Sequence, residues 1–88
     1  MSNDSALDQP VILVVDDDPV DRALICECLK SADFRVEEAV DGSHALEVFR
    51  TVHPHIVLLD VGMPGMTGIE TCAALRQLPG GAQVPIVM

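Results

Sequence analysis

Aromatic residues are almost missing from this sequence. Tryptophan and tyrosine are absent, and Phe34 and Phe49 are its two phenylalanines. Nearly half of the 88 residues are nevertheless hydrophobic, so any core is built from aliphatic side chains. This composition fits a layered α/β domain better than an aromatic-rich β-sandwich or a disordered tail. A length of 88 residues leaves room for one hydrophobic core and excludes a second domain within these residues.

Basic residues are also scarce. Five Lys and Arg residues stand against fourteen Asp and Glu residues, which gives a net charge of −9. The basic residues are scattered along the chain: Arg22, Lys30, Arg35, Arg50 and Arg76. Nucleic acids and anionic membranes are bound by clustered cations, so the sequence predicts neither as a partner of this segment.

Long apolar runs are absent. The longest aliphatic runs, Val11–Val15 and Ile56–Leu59, are far shorter than the roughly 20 residues that span a bilayer. The N-terminus has neither the basic start nor the apolar stretch of a signal peptide. Cys26 and Cys28 stand two apart on a predicted helix, where their side chains point about 200° apart and cannot pair. A reduced, cytoplasmic protein is predicted.

Strand and helix patterns alternate along the chain. Apolar or alternating segments predict strands over residues 11–15, 34–39, 55–59 and 84–88. Amphipathic segments after the first three strands predict three helices. Residues 1–10 are polar and without periodicity, which predicts a flexible lead-in, with the folded domain over residues 11–88. Right-handed crossovers between these strands would give a parallel sheet with helices on both faces.

The apolar positions of two predicted helices indicate which faces pack on the sheet. In the first helix they are Val20, Ala23, Leu24 and Cys28, with Ile25, Leu29 and Ala32 widening the stripe. In the third helix, Thr67 and Glu70 form a capping box that marks the start. The inward positions of that helix are predicted to include Ile69, Ala73 and Leu75.

Acidic side chains follow two predicted strands at the point where each strand ends. Asp16 and Asp17 come directly after the first strand, and Asp60 follows the third. Ligands of open parallel sheets bind beyond the carboxyl ends of the strands, so we expect these strands to be neighbours. Three adjacent carboxylates need a compensating cation, and Mg²⁺ is the predicted occupant. Beside the metal, the most buried carboxylate is a candidate nucleophile toward a phosphoryl group.

A simpler interpretation is that these aspartates only cap helices. Asp18, followed by Pro19, is predicted to cap the first helix, and the same role would suit Asp17. Capping does not account for Asp60, because the next helix begins seven residues later with its own cap, Thr67. A role in ligand binding is therefore favoured for Asp60.

Three segments together resemble the receiver domain of two-component response regulators. They are VVDDDP at 14–19, Asp41 with Gly42 before a helix, and LLDVGMPGMTG at 58–68. The resemblance covers residues 11–88. It implies a flavodoxin-like, doubly wound parallel sheet that is incomplete at its C-terminal side, with four strands in the order 2-1-3-4 and three helices.

The resemblance also implies a function for the acidic residues. In receiver domains, the aspartate at the position of Asp60 accepts a phosphoryl group from a histidine kinase or a phosphotransfer protein. The acidic pair at the positions of Asp16 and Asp17 holds Mg²⁺ together with the phosphoacceptor, helped by the backbone carbonyl at the position of Gly62. Such a domain catalyses at most its own phosphorylation and dephosphorylation.

One departure from the family leaves an alternative open. Receivers carry Ser or Thr at the end of the fourth strand and Lys at the end of a fifth, and neither has a match here; Lys30 lies in the first predicted helix. The alternative is a non-switching pseudo-receiver that acts as an interaction or dimerisation module. If residues 1–88 are the whole molecule, the unpaired edge at 84–88 or the uncovered sheet face predicts self-association.

A minor alternative is a haloacid-dehalogenase-like phosphatase, which also uses an aspartyl nucleophile. The run Asp16-Asp17-Asp18 after a strand suits the Asp-x-Asp start of those enzymes. Pro19 stands where that motif has glycine, and the loop around Asp60 would have no role.

Overall fold

The computed structural model describes residues 9–88, so the predicted lead-in over residues 1–10 lies almost wholly outside the described residues. Strands and helices alternate along the chain, as predicted for an α/β fold. In chain order the elements are β1 (Val11–Val15), α1 (Pro19–Ser31), β2 (Arg35–Ala39), α2 (Gly42–Val52), β3 (Ile56–Leu59), α3 (Gly68–Arg76) and β4 (Ile86–Val87).

The four strands form one parallel sheet in the order β2-β1-β3-β4, which confirms the predicted fold class and strand order. Val15, the last residue of β1, pairs with Ala39 at the end of β2 and with Leu59 at the end of β3. The carboxyl ends of these three strands are therefore level. Residues that directly follow β1 and β3 leave the sheet at the same edge.

The larger part of the core lies on the sheet face that α2 and α3 cover. Alternate residues of β1 and β3 are buried there with side chains of both helices: Leu13, Val15, Val57, Leu59, Ala45, Phe49 and Leu75. Burial of each large aliphatic side chain contributes about 1.5–3 kcal/mol to folding. Every residue of β1 is buried. A central strand covered on both faces is apolar at odd and even positions alike, which explains its sequence.

The opposite sheet face is covered by α1 and is less completely buried. Ile12 and Val14 of β1 pack with Cys26 of α1 in a second cluster. Ile56 and Leu58 of β3 contact this cluster but are only half-buried. Helices therefore lie on both faces of the sheet, as a doubly wound fold requires.

The face of α1 that packs on the sheet is not the predicted one. The predicted positions are all exposed: Val20, Ala23, Leu24 and Cys28. Cys26 is the buried residue of this helix, and Ile25 and Leu29, predicted only to widen the stripe, pack beside it. Apolar residues occur on most sides of α1, so their periodicity does not determine how the helix is rotated. The contact of Cys26 with Ile12 and Val14 of β1 determines the rotation of α1.

Helix α3 begins where predicted but also buries a different face. The capping box of Thr67 and Glu70 is present. Leu75 is buried as predicted, whereas the two other proposed inward positions are exposed: Ile69 and Ala73. Thr71 is fully buried instead, and its hydroxyl donates to the carbonyl oxygen of Thr67 at 2.8 Å. Because the helix backbone satisfies this hydroxyl, a polar residue can occupy the core.

Strand β4 is an edge strand and is shorter than the predicted 84–88. Val87 is 55% exposed. Self-association through residues 84–88 or the open sheet face stays a prediction. Within the part of the chain that the structure describes, no helix combines the length and apolarity needed to cross a membrane.

Candidate functional site

Two aspartates continue the sheet by one residue beyond β1 and β3. The amide of Asp60 donates to the carbonyl oxygen of Val15 at 2.9 Å, and the amide of Asp16 donates to the carbonyl oxygen of Ala39 at 3.1 Å. Both backbones are therefore held by neighbouring strands. This anchoring places the two side chains at the carboxyl edge of the sheet.

Three carboxylates converge at this edge. Oxygen atoms of Asp16, Asp17 and Asp60 all lie within 4.8 Å of one another. Asp16 is buried, Asp60 is half-buried and Asp17 is exposed. The most buried carboxylate is therefore Asp16, so the burial criterion stated from the sequence does not select Asp60 as the nucleophile. Burial keeps water from screening the charge of Asp16, so the repulsion within this group is greater than on an open surface.

Backbone amides hold two of the three carboxylates. Oδ1 of Asp16 accepts from the amide of Asp18 at 2.9 Å, and Oδ1 of Asp60 accepts from the amide of Gly62 at 3.1 Å. Each bond occupies one of the roughly four lone-pair sites of its carboxylate, so both oxygens keep a site for a metal ion or another partner. The structure thus brings the amide of Gly62 to Asp60, while the role of the Gly62 carbonyl as a metal ligand stays a prediction.

Asp18 has the capping role that the sequence predicted. Its Oδ1 accepts from the amides of Val20 at 2.8 Å and Asp21 at 3.3 Å, and Pro19 occupies the first turn of α1. The carboxylate that caps the helix is therefore a different group from the three that converge at the sheet edge.

The acidic residues influence a neighbouring carboxyl group. The pKa of Asp21 is raised, chiefly by the charge of Asp18, with desolvation and the charges of Asp16, Asp60 and Asp17 adding to the effect. Like charges disfavour a further ionised carboxylate. The shift therefore indicates a negative potential around the sheet edge that a cation would relieve.

The donor set fits a hard divalent cation. Carboxylate oxygens are the ligands that Mg²⁺ prefers. Among residues 9–88, no cationic side chain bonds to the carboxylates of Asp16, Asp17 or Asp60. Among the described residues, these three carboxylates therefore have no cationic partner.

Arg22 is a residue of this site that the sequence pattern did not single out. Its Nη1 donates to the backbone carbonyl oxygen of Asp16 at 2.8 Å, and its Nε donates to Glu38 at 2.9 Å. In the sequence it counts as one of five scattered cations. The available signal was its position four residues after the helix cap Asp18. This position faces back toward residues 16–18, which we call the acidic loop.

Gly68 packs directly against the backbone of the phosphoacceptor candidate. A Cβ atom at this position would lie 2.5 Å from the carbonyl oxygen of Asp60 and 2.7 Å from Cα of Val61. These neighbours are backbone atoms, so they cannot move aside as a side chain would. Because Gly68 has no side chain, α3 can begin in close contact with the backbone of Asp60 and Val61.

Replacement of Gly68 with alanine is expected to destabilise the protein by about 1–3 kcal/mol, because the added methyl overpacks this contact. Gly62→Ala is the matched control, since a Cβ atom there meets nothing within 4 Å. The control should leave the free energy of unfolding unchanged or raise it by about 0.4–1 kcal/mol. Urea denaturation followed by circular dichroism measures both. Equal stability of the two variants would show that the close approach does not exist.

A doubly wound parallel sheet with acidic residues at the carboxyl edge of β1 and β3 defines the class of CheY-like receivers. The family model for the response regulator receiver domain matches residues 12–88, and the chain belongs to this family. The resemblance stated from the sequence is confirmed. The haloacid-dehalogenase-like interpretation is rejected.

Curated relatives include regulators and a kinase. The chain is 46% identical over 77 residues to the DNA-binding response regulator MtrA of Mycolicibacterium smegmatis, covering 88% of this chain and 32% of that protein. It is 41% identical over 80 residues to the sensor histidine kinase RcsC of Escherichia coli, covering 91% of this chain and 8% of that protein. The chain therefore spans about a third or less of the length of these relatives.

Solved structures show the same fold. The chemotaxis protein CheY4 of Vibrio cholerae superposes with a TM-score of 0.87 at 33% identity, covering 89% of this chain and 65% of that one. The receiver domain of the sensor histidine kinase PA1611 from Pseudomonas aeruginosa gives 0.84 at 29% identity, covering 89% and 64%. That receiver domain has a magnesium ion coordinated in its active site cleft.

Proposed function

We propose that this receiver domain accepts a phosphoryl group on Asp60, with Mg²⁺ held by Asp16, Asp17, Asp60 and the backbone carbonyl of Gly62. The observation that carries the proposal is the convergence of three carboxylates within 4.8 Å at one sheet edge. The magnesium ion in the PA1611 receiver supports the choice of metal.

The anionic site requires a cation before it can meet an anionic substrate. Mg²⁺, when bound, offsets the repulsion between the Asp60 carboxylate and a phosphoryl group. The protein supplies the orientation: the amide of Gly62 holds one oxygen of Asp60 at 3.1 Å. The amide of Asp18 similarly holds one oxygen of Asp16 at 2.9 Å. Neither carboxylate then has to be ordered when the substrate arrives.

The proposed transfer takes a phosphoryl group from a phosphohistidine. The free carboxylate oxygen of Asp60 attacks phosphorus, an O–P bond forms, and the P–N bond to imidazole breaks. The electron pair of that bond returns to the imidazole nitrogen, which takes up a proton from water. The product is an aspartyl phosphate, whose later hydrolysis by water regenerates Asp60 and releases inorganic phosphate.

A sensor histidine kinase or a phosphotransfer protein is the proposed donor. The relative RcsC is itself a sensor histidine kinase, which supports this class of partner. We also retain the prediction of a cytoplasmic location, where such donors present their phosphohistidine.

Incubation with acetyl phosphate and Mg²⁺ tests the proposal without the cognate kinase. We expect one phosphoryl group per chain by intact-protein mass spectrometry, stable in acid and lost in base, as an acyl phosphate should be. A chelator in place of Mg²⁺ should prevent the labelling. Absence of labelling in protein shown to be folded by circular dichroism would contradict the proposal and favour the pseudo-receiver alternative.

A further inference from the structure

The guanidinium group of Arg22 joins α1 to two strand ends. It donates from Nη1 to the carbonyl oxygen of Asp16 at 2.8 Å and from Nε to Oε1 of Glu38 at 2.9 Å. The Arg22 side chain is 17% exposed, whereas that of Glu38 is 47% exposed. The amide of Asp16 is meanwhile bonded to Ala39 of β2 at 3.1 Å. The backbone of Asp16 is therefore held at both its amide and its carbonyl.

The bonded carbonyl belongs to the peptide unit that links Asp16 to Asp17. Rotation of this unit would change where the Asp17 carboxylate lies. Among the described residues, the Asp17 side chain makes no hydrogen bond of its own, in contrast to Asp16, which accepts from Asp18. The position of Asp17 consequently depends on how firmly this peptide unit is held.

We propose that Arg22 is a positioning residue for the metal site. By fixing the peptide unit between Asp16 and Asp17, it preorganises both carboxylates and strengthens Mg²⁺ binding, although it is itself a cation. The inference rests on the proposed function, because it concerns the same Mg²⁺ site.

A positioning role and a purely electrostatic role of Arg22 predict opposite changes in Mg²⁺ affinity when the residue is replaced. If Arg22 acted only through its charge, its removal would make the site more negative and would tighten Mg²⁺ binding. If it acts through the peptide unit, its removal weakens binding, because the carboxylates must be ordered when the metal arrives. The direction of the change in affinity therefore separates the two roles.

Titration of the folded protein with Mg²⁺, followed by two-dimensional NMR of its amides, is the test. Tryptophan fluorescence cannot be used because the chain has no tryptophan. We expect Arg22→Gln and Arg22→Lys each to weaken Mg²⁺ affinity about tenfold. Lysine keeps the charge but lacks the planar guanidinium group, which donates to the carbonyl oxygen of Asp16 and to Glu38 at the same time. Glu38→Gln, which removes only the second anchor, should cause a smaller loss in the same direction.

Arg35→Gln is the matched control for the loss of one positive charge. Arg35 pairs with Glu37 at 3.3 Å on the exposed side of β2 and does not contact the acidic loop. Its replacement should change Mg²⁺ affinity by less than about twofold. Unchanged or tighter Mg²⁺ binding in Arg22→Gln would overturn the positioning role. This holds even if the variant unfolds at a lower temperature, because lower stability alone indicates only a structural role. Absence of Mg²⁺ binding by the unaltered protein would instead overturn the proposed function and this inference with it.

Discussion

Asp60→Asn should lower the rate of phosphorylation by acetyl phosphate at least about a thousandfold. An amide is not a nucleophile toward phosphorus and carries no negative charge for Mg²⁺ to bind. The substitution keeps the shape of the side chain, and its oxygen can still accept from the amide of Gly62. The protein should therefore stay folded, and intact-protein mass spectrometry should detect no phosphoryl group under conditions that label the unaltered chain.

Asp33→Asn provides the control for this substitution. The Asp33 substitution makes the same chemical change at a position away from the three converging carboxylates. The φ of Asp33 is 68°, in the left-handed region that asparagine tolerates. This variant should be labelled at the normal rate. Undiminished labelling of Asp60→Asn would place the nucleophile elsewhere, and peptide mapping of the phosphorylated chain would then locate it.

The double substitution Asp16→Asn and Asp17→Asn should abolish Mg²⁺ binding and stabilise the metal-free protein. Two of three carboxylates that lie within 4.8 Å of one another lose their charge. Repulsion between each pair of charges at that separation is about 0.9–3.5 kcal/mol for effective dielectric constants of about 80 and 20, and no pair remains in the double variant, so a stabilisation of at least about 1 kcal/mol is expected. Asparagine at position 16 can still accept from the amide of Asp18, so the turn before α1 is retained.

Thermal unfolding with and without Mg²⁺ measures both effects. Ligand binding to the native state stabilises it by about 1.4 kcal/mol at a tenfold excess over the dissociation constant. The unaltered chain should show this gain, and the double variant should show none. Asp33→Asn with Asp41→Asn removes two charges away from Asp16, Asp17 and Asp60. Asp41 caps α2 by accepting from the amide of His44 at 2.8 Å, and asparagine caps a helix as well as aspartate does. The control pair should keep the gain. A double variant less stable than the unaltered chain would contradict the proposed site.

Local sequence signals were sufficient for the starts of α1 and α3 and for the central position of β1. Asp18 with Pro19 marks the start of α1, because a cap bonds amides only two or three residues away. Thr67 with Glu70 marks α3 in the same way. The apolar run of β1 predicts a central strand, since both of its faces must be covered.

The acidic residues could also be found from the sequence, because each directly follows a strand. Parallel strands end at a common edge, so Asp16 and Asp60 had to meet once β1 and β3 were neighbours. The family resemblance supplied the strand order in which β1 and β3 are neighbours. The pairing of Val15 with Leu59 then places Asp16 and Asp60 side by side.

Long-range packing decided what the local pattern left open. Apolar residues on most sides of α1 permit several rotations, and only contact with β1 selects the one that buries Cys26 and exposes Leu24. The bond from Arg22 to Asp16 and the close approach of Gly68 to Asp60 likewise join segments that meet only in the folded chain. The sequence by itself thus determined where α1 and α3 start and which carboxylates follow the strands. The tertiary structure alone decided how helices are rotated and what holds the acidic loop, because those contacts depend on distances between separate elements rather than on spacing along one of them.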